Sequence, residues 1–200
     1  MNSLKLNKIT KLCFGYEEIA KTLGISLASA RVSVNRYAKN GILIRLKRNF
    51  YVLANRWDNF SQEEKLSMAN LIQVPSYVSL MTALGFYEIT TQIQRGFIES
   101  ISIKRTKKFE AGNVIFNYVK ISKNLYSDFS REKGFFIATA EKAFLDAVYL
   151  KTLNRYNFDL SSIDFSRLDL AKVKALSRKF PEKVWRMIED NGYFKKARSF

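Results

Sequence analysis

Two hundred residues, 47% of them hydrophobic, suffice for one large domain or two small ones, each with its own core. The chain carries 34 Lys and Arg against 18 Asp and Glu, a net charge of +16, with no histidine and a single cysteine, Cys13. Ser-His and Cys-His catalysis, histidine-ligated metals, histidine pH switching, an internal disulfide and a cysteine zinc cluster are thereby excluded together.

An enzyme would have to work with carboxylates, Lys, Tyr or Arg, and the eight glycines show no nucleotide-binding spacing. Neither catalysis nor a cofactor is expected. No apolar run reaches the length of a signal segment or a membrane span, which predicts a cytoplasmic protein without a membrane partner.

In chain order, Cys13 is expected as a small core residue in a first helix. From Tyr16 to Leu23 the apolar residues Ile19, Ala20 and Leu23 recur at helical spacing, and Glu17 and Glu18 sit in the first turn, where the dipole favours them. Gly24 supplies a turn, Ile25 plugs the angle, and Ser26 can cap a following helix that starts near Leu27. Along that helix Ala30, Val34 and Tyr37 fall on one face, leaving Ala28, Arg31, Val32, Asn35 and Lys39 pointing away from the core. A small, polar, basic face suits the major groove, where Arg or Asn pairs bidentately with a base edge. Ser29 and Arg36 flank it, placed for phosphates. After the Asn40-Gly41 stop, 42–46 and 50–53 read as strands around the turn Lys47-Arg48-Asn49, a basic wing tip.

The stretch therefore reads as a winged helix-turn-helix that contacts DNA through Ser26, Ala28, Ser29, Arg31, Val32, Asn35 and Arg36 and through Lys47, Arg48 and Asn49 of the wing. The alternative is a three-helix interaction domain whose cations are merely solvated. Charge argues against it: up to Arg56 there are eleven Lys and Arg against Glu17 and Glu18 alone, a net of +9.

Residues 54–60 lack periodicity and are read as a linker, with the domain boundary after residue 56: a DNA-binding domain at 1–56 and a second domain at 57–200. Ser61-Gln62-Glu63-Glu64 is a capping box opening a helix that Pro75 ends. Tyr77-Val78 reads as a short strand, 79–86 as a helix, 97–104 and 113–121 as strands, and 135–137 as another strand. Thr139 caps a helix to about Leu150, and further helices start near Asp169 and Pro181. The second domain is mixed α+β. Lys104-Arg105-Thr106-Lys107-Lys108 reads as a solvated loop, with a second nucleic-acid contact or a surface for an acidic partner as the functional alternative. Lys195-Lys196-Ala197-Arg198 is a similar basic run in the tail.

The winged helix, followed by Tyr77-Val78-Ser79-Leu80-Met81-Thr82-Ala83-Leu84, the basic Thr106-Lys107-Lys108-Phe109, and Ile137-Ala138-Thr139-Ala140-Glu141-Lys142-Ala143-Phe144-Leu145-Asp146, resembles the AbiEi antitoxins of bacterial abortive-infection systems over nearly the whole chain. Its most specific part is Ala-Thr-x-Glu-Lys-Ala-x-Leu-Asp, where the family typically has Pro at the position of Ala140. Gly15 likewise stands where relatives often carry a Ser or Thr helix cap.

The resemblance implies an autorepressor that binds double-stranded DNA at inverted repeats of its own promoter. It also implies an antitoxin that antagonises a nucleotidyltransferase-like toxin, generally without a stable complex. The candidate antitoxin residues are Glu141, Lys142, Asp146, Lys104 and Arg105. For Lys142 and Asp146 at i and i+4 the plain alternative is a surface pair worth a few tenths of a kcal/mol. The competing functions are a winged-helix regulator whose second domain binds a small effector, with no toxin partner, and an enzyme built on carboxylates such as Glu99, Glu110 and Glu141.

Overall fold

The computed structural model describes residues 4–92 and 94–190, so the basic tail at 195–198 lies outside the described residues. The fold is mixed α+β, with helices towards the N-terminus and a β-sheet in the later part of the chain. A short 3-10 turn at Leu4–Lys8 leads to α1 (Tyr16–Leu23) and α2 (Leu27–Lys39), then to an antiparallel hairpin of β1 (Leu43–Lys47) and β2 (Phe50–Leu53). Cys13, expected in a helix, lies in a bend, and burial pushes its thiol up to about 12.

The hairpin belongs to two hydrophobic cores at once. Strand residues alternate sides with period two, and here both sides are apolar. Leu43, Tyr51 and Leu53 pack with Ile19, Ala30, Val34 and Tyr37 of α1 and α2. Leu46 and Val52, with Ile44 and Phe50, pack into the larger core that follows.

Where a linker was expected, Ala54–Trp57 forms a helical turn, α3, whose Trp57 is buried. The Trp57 Nε1–H donates to Asn113 Oδ1 at 2.9 Å. The turn beneath it requires Gly112, because a Cβ there would lie 2.4 Å from the indole nitrogen. Next, α4 (Gln62–Ile72) opens with the expected capping box: Glu64 N–H donates to Ser61 Oγ at 3.2 Å and Ser61 N–H to Glu64 Oε2 at 2.8 Å.

There follow β3 (Ser76–Val78), α5 (Leu80–Phe86), β4 (Phe97–Ser102), β5 (Lys107–Ala111), β6 (Val114–Lys120), β7 (Phe129–Glu132), β8 (Phe135–Ala138), α6 (Ala140–Thr152), α7 (Leu170–Ser177) and α8 (Glu182–Asp190). The six strands form one mixed sheet in the order β5-β6-β4-β3-β8-β7. Val78, Ser100 and Tyr118 are in register on one face, where the Tyr118 hydroxyl donates to Ala69 O of α4 at 2.6 Å. Tyr77, Ile101 and Val119 share the opposite face, which meets α6; α5, α7 and α8 pack on α6. Being enclosed by sheet and helices, α6 is buried almost all round. Thr139 caps it as expected, accepting from Lys142 N–H at 3.3 Å.

Two edge strands depart from the sequence expectation. Lys107 and Lys108, read as loop, begin β5, which pairs antiparallel with β6, and 129–132 forms β7 against β8.

On the α6 face, Glu99 is 1% exposed. Its Oε2 accepts from Met81 N–H at 3.1 Å and from the Tyr156 hydroxyl at 2.8 Å. Leu80 beside it holds a φ of +56°, a strained conformation for a branched side chain, and the bond from Met81 pins the chain there. Burial pushes the Glu99 carboxyl up to about 7, with the hydrogen bonds from Tyr156 and Met81 pulling it partly back. A raised folded value makes the contribution of this group full below its ordinary value of 4.5 and lost as pH rises through 7. Stability should fall by on the order of 1–3 kcal/mol between pH 4.5 and 8 from this residue. Glu99→Gln should flatten that slope, read from urea midpoints at both pH values; parallel slopes in the two proteins would show that Glu99 is not the group responsible.

Candidate nucleic-acid interface

The first helix is capped from a distance. Gly15 at its N-cap has no side chain to offer, and Asn49 of the hairpin turn does the work: its Oδ1 accepts from Tyr16 N–H at 2.8 Å, and its Nδ2 donates to both Glu17 carboxylate oxygens at 3.0 Å. A Cβ on Gly15 would come within 3.0 Å of the Asn49 amide, so the glycine and this remote cap fit one another. Asn49 adopts a φ of +54°, which Asn tolerates better than most residues. Its side chain is thus engaged in holding the hairpin turn against α1.

The second helix follows the expected geometry. Ser26 Oγ accepts from Ser29 N–H at 3.1 Å and donates to Ser29 Oγ at 2.9 Å. Ala30, Val34 and Tyr37 are buried, while Ala28, Arg31, Val32, Asn35, Arg36 and Lys39 are exposed. Val32 is 72% exposed, an apolar side chain left in water amid polar ones. The Arg31 guanidinium lies 4.9 Å from the Tyr16 ring centroid and donates to the Tyr16 hydroxyl at 3.0 Å, which orients the cation along the helix face.

Between α2 and the hairpin runs a groove of about 220 Å³ lined by Arg31, Asn35, Arg45, Arg48 and Asn49. Arg45 was not among the residues singled out from sequence. The signal was the strand alternation, since Arg45 pairs with Tyr51 on the α2 side of the hairpin.

The three turn residues divide their roles. Lys47 donates to the carbonyls of Leu71 at 3.1 Å and Ile72 at 2.7 Å, the free C-terminal acceptors of α4, so it clasps the hairpin to that helix. Burial, and then repulsion from Lys104, hold its ammonium below the ordinary lysine value. Asn49 caps α1. Among the described residues no side-chain hydrogen bond or ion pair engages the Arg48 guanidinium, and the residue is exposed.

The remaining candidates do not form one site. Lys104 and Arg105 lie beside the hairpin, and the Arg105 carbonyl accepts from Gln73 Nε2 at 2.9 Å. Glu141 is buried and its Oε1 accepts from Asp169 N–H at 3.3 Å, tying α6 to the start of α7. Lys142 and Asp146, weighed as a surface pair, are 1% and 0% exposed. The Lys142 ammonium is ion-paired with Asp146 Oδ1 and donates to the Tyr77 hydroxyl at 2.8 Å. Asp146 Oδ2 accepts from Tyr77 at 3.0 Å and Ser79 at 2.9 Å. Burial pushes the Asp146 carboxyl up while Lys142 and the two hydroxyls pull it back. Rings of Tyr77 and Phe180 stand 5.3 Å from the ammonium. The cluster is a satisfied polar network inside the core, out of reach of any partner.

Among the described residues no group of His, Cys, Asp and Glu could hold a metal ion, and no helix is long and apolar enough to cross a membrane. No known protein-family model matches the chain, and no curated protein matches it either.

Lys142→Ala should leave Asp146 buried without its countercharge and lower stability by about 3–5 kcal/mol. Replacing Lys142 with Met and Asp146 with Leu together should cost less than the sum of the two single changes, because no uncompensated charge remains. Urea denaturation of Lys142→Ala, of Lys142→Met and Asp146→Leu singly, and of the double variant measures this; a loss below about 1 kcal/mol for Lys142→Ala would return the pair to the surface.

Proposed function

We propose that the chain is a sequence-specific binder of double-stranded DNA that acts in transcriptional regulation, with α1, the Gly24 turn, α2 and the β1–β2 hairpin working as a winged helix-turn-helix. The observation that carries this reading is the outward face of α2. It offers Arg31 and Asn35, the side-chain types that read guanine and adenine edges, across a shallow groove from Arg45 and Arg48 of the hairpin. The small residues Ala28 and Ser29 near the helix start permit close approach to base edges, and Val32 offers an apolar contact of the kind that meets a thymine methyl. Arg36 and Lys39 lie toward the other end of the helix for phosphates.

Within this reading Arg48 is the wing cation that reaches the backbone. Lys47 and Asn49 act indirectly by fixing the wing against α4 and α1.

The resemblance to the AbiEi antitoxins adds autorepression at inverted repeats and protection from a nucleotidyltransferase-like toxin to this proposal. Because Lys142 and Asp146 are interior, a protective surface would have to be built from exposed residues, and substitutions in the buried pair would act through folding.

Selection of duplexes from a random library by the full-length protein, followed by mobility shifts, tests the reading. Arg31→Ala and Asn35→Ala should each weaken binding to the selected duplex about 10- to 100-fold while sparing non-specific duplex. Arg48→Ala should weaken both and lower the salt slope by up to about 0.9. Failure to enrich any sequence, or wild-type affinity in both helix variants, would overturn it.

A further inference from the structure

A second cleft, of about 820 Å³, opens on the other side of the hairpin, between β1 and the β4–β5 turn. Its size lies in the range of small-molecule sites rather than of surface dimples. Arg45, Lys47 and Arg48 line it from the hairpin, and Lys104, Arg105 and Lys107 from the facing turn and β5. No Asp or Glu is among the lining residues. None of these six cations takes part in any ion pair among the described residues, although acidic partners are found for seven other Lys and Arg.

Such a wall of like charge is costly to fold in the absence of an anion. Lys47 is part-buried on the α4 carbonyls, and burial first, then repulsion from Lys104, holds its ammonium below the ordinary lysine value. Two ties keep the walls in place rather than letting them splay apart, Lys47 to the end of α4 and Gln73 to the Arg105 carbonyl. The site is therefore preorganised. Beside the cations are apolar surfaces, the Phe109 ring with the Lys107 ammonium 4.5 Å from its centroid, and Val74, which is 56% exposed.

We propose that this cleft binds a free nucleoside polyphosphate, its phosphate chain between the hairpin cations and Lys104, Arg105 and Lys107 and its base against Phe109 and Val74. The cleft's volume and the apolar surface beside the cations fit a compact anion with one planar ring. Arg45 and Arg48 line both this cleft and the groove beside α2. In the DNA-binding reading, the ligand would draw these two side chains away from a duplex and act as a negative effector; binding of the nucleotide itself does not rest on that reading.

Calorimetric titration of the full-length protein, without DNA, in magnesium-free buffer at physiological ionic strength tests the proposal, with ATP, inorganic tripolyphosphate and AMP as probes. ATP should bind saturably with one site per chain and at least as tightly as tripolyphosphate, and AMP at least tenfold more weakly. Lys104→Ala combined with Lys107→Ala, both exposed positions, should weaken ATP at least tenfold with a melting temperature no lower than that of the unsubstituted protein, because repulsion in the cleft is relieved. Arg31→Ala, outside the cleft, should bind ATP like wild type. Absence of saturable ATP binding, AMP binding as tight as ATP, or full ATP affinity in the double variant would overturn the proposal. Binding of a short duplex that the double variant weakens, with no binding of ATP or tripolyphosphate, would also overturn it, assigning the cleft to nucleic-acid backbone.

Discussion

The β1–β2 hairpin is apolar on both of its faces, and the rest of the molecule is arranged around that fact. One face completes the core under α1 and α2 and the other the core under the six-stranded sheet. Because side chains alternate along the paired residues, a one-residue slip of register would send Leu43, Tyr51 and Leu53 to the wrong core and Leu46 and Val52 to the other. Arg45 faces the α2 side, and the register shift between Arg45 and Lys47 breaks the alternation, so that Lys47 reaches the carbonyls of α4 instead. The groove beside α2 and the basic cleft therefore share the hairpin as a common wall. A chain cut after residue 56 would keep the helices and strip the cover from Leu46 and Val52.

A second constraint lies in α6. Its Glu141, Lys142 and Asp146 belong to the Ala-Thr-x-Glu-Lys-Ala-x-Leu-Asp stretch that carries the resemblance to the AbiEi antitoxins, and each of the three has an internal partner. Lys142 and Asp146 satisfy one another together with Tyr77 and Ser79 of the β3–α5 segment, and Thr139 and Glu141 fasten the starts of α6 and α7. A motif of this kind specifies how helix and sheet meet. The same sequence feature is thus accounted for by folding, without a partner molecule.

Local features were legible in the sequence because their causes are local. The period of Ala30, Val34 and Tyr37, the caps at Ser26 and Thr139 and the Ser61 capping box all follow from residues a few positions apart. The edge strands β5 and β7 were not legible: Lys-Lys-Phe-Glu-Ala and Phe-Ser-Arg-Glu carry the charges that protect sheet edges, and charge reads as loop. Burial of Lys142 and Asp146 was masked by the usual surface setting of i, i+4 ion pairs. The run of Ala143, Phe144, Leu145, Ala147 and Val148 on all sides of them was the available signal. The Asn49 cap on α1 and the convergence of Lys104 on Lys47 join segments far apart in the chain, and no local pattern encodes them.

Native-state hydrogen exchange on Leu46→Ala and Val52→Ala tests the shared wall most directly, since both side chains belong to the larger core while their strands also cover the smaller one. If the hairpin couples the two cores, each substitution will lower protection of the buried positions of α2 and of β4 and β6 by the same amount, as in a single cooperative unit. Loss of protection confined to the sheet, with α2 exchanging as in the unsubstituted protein, would mean that the two cores open independently and that the hairpin does not join them.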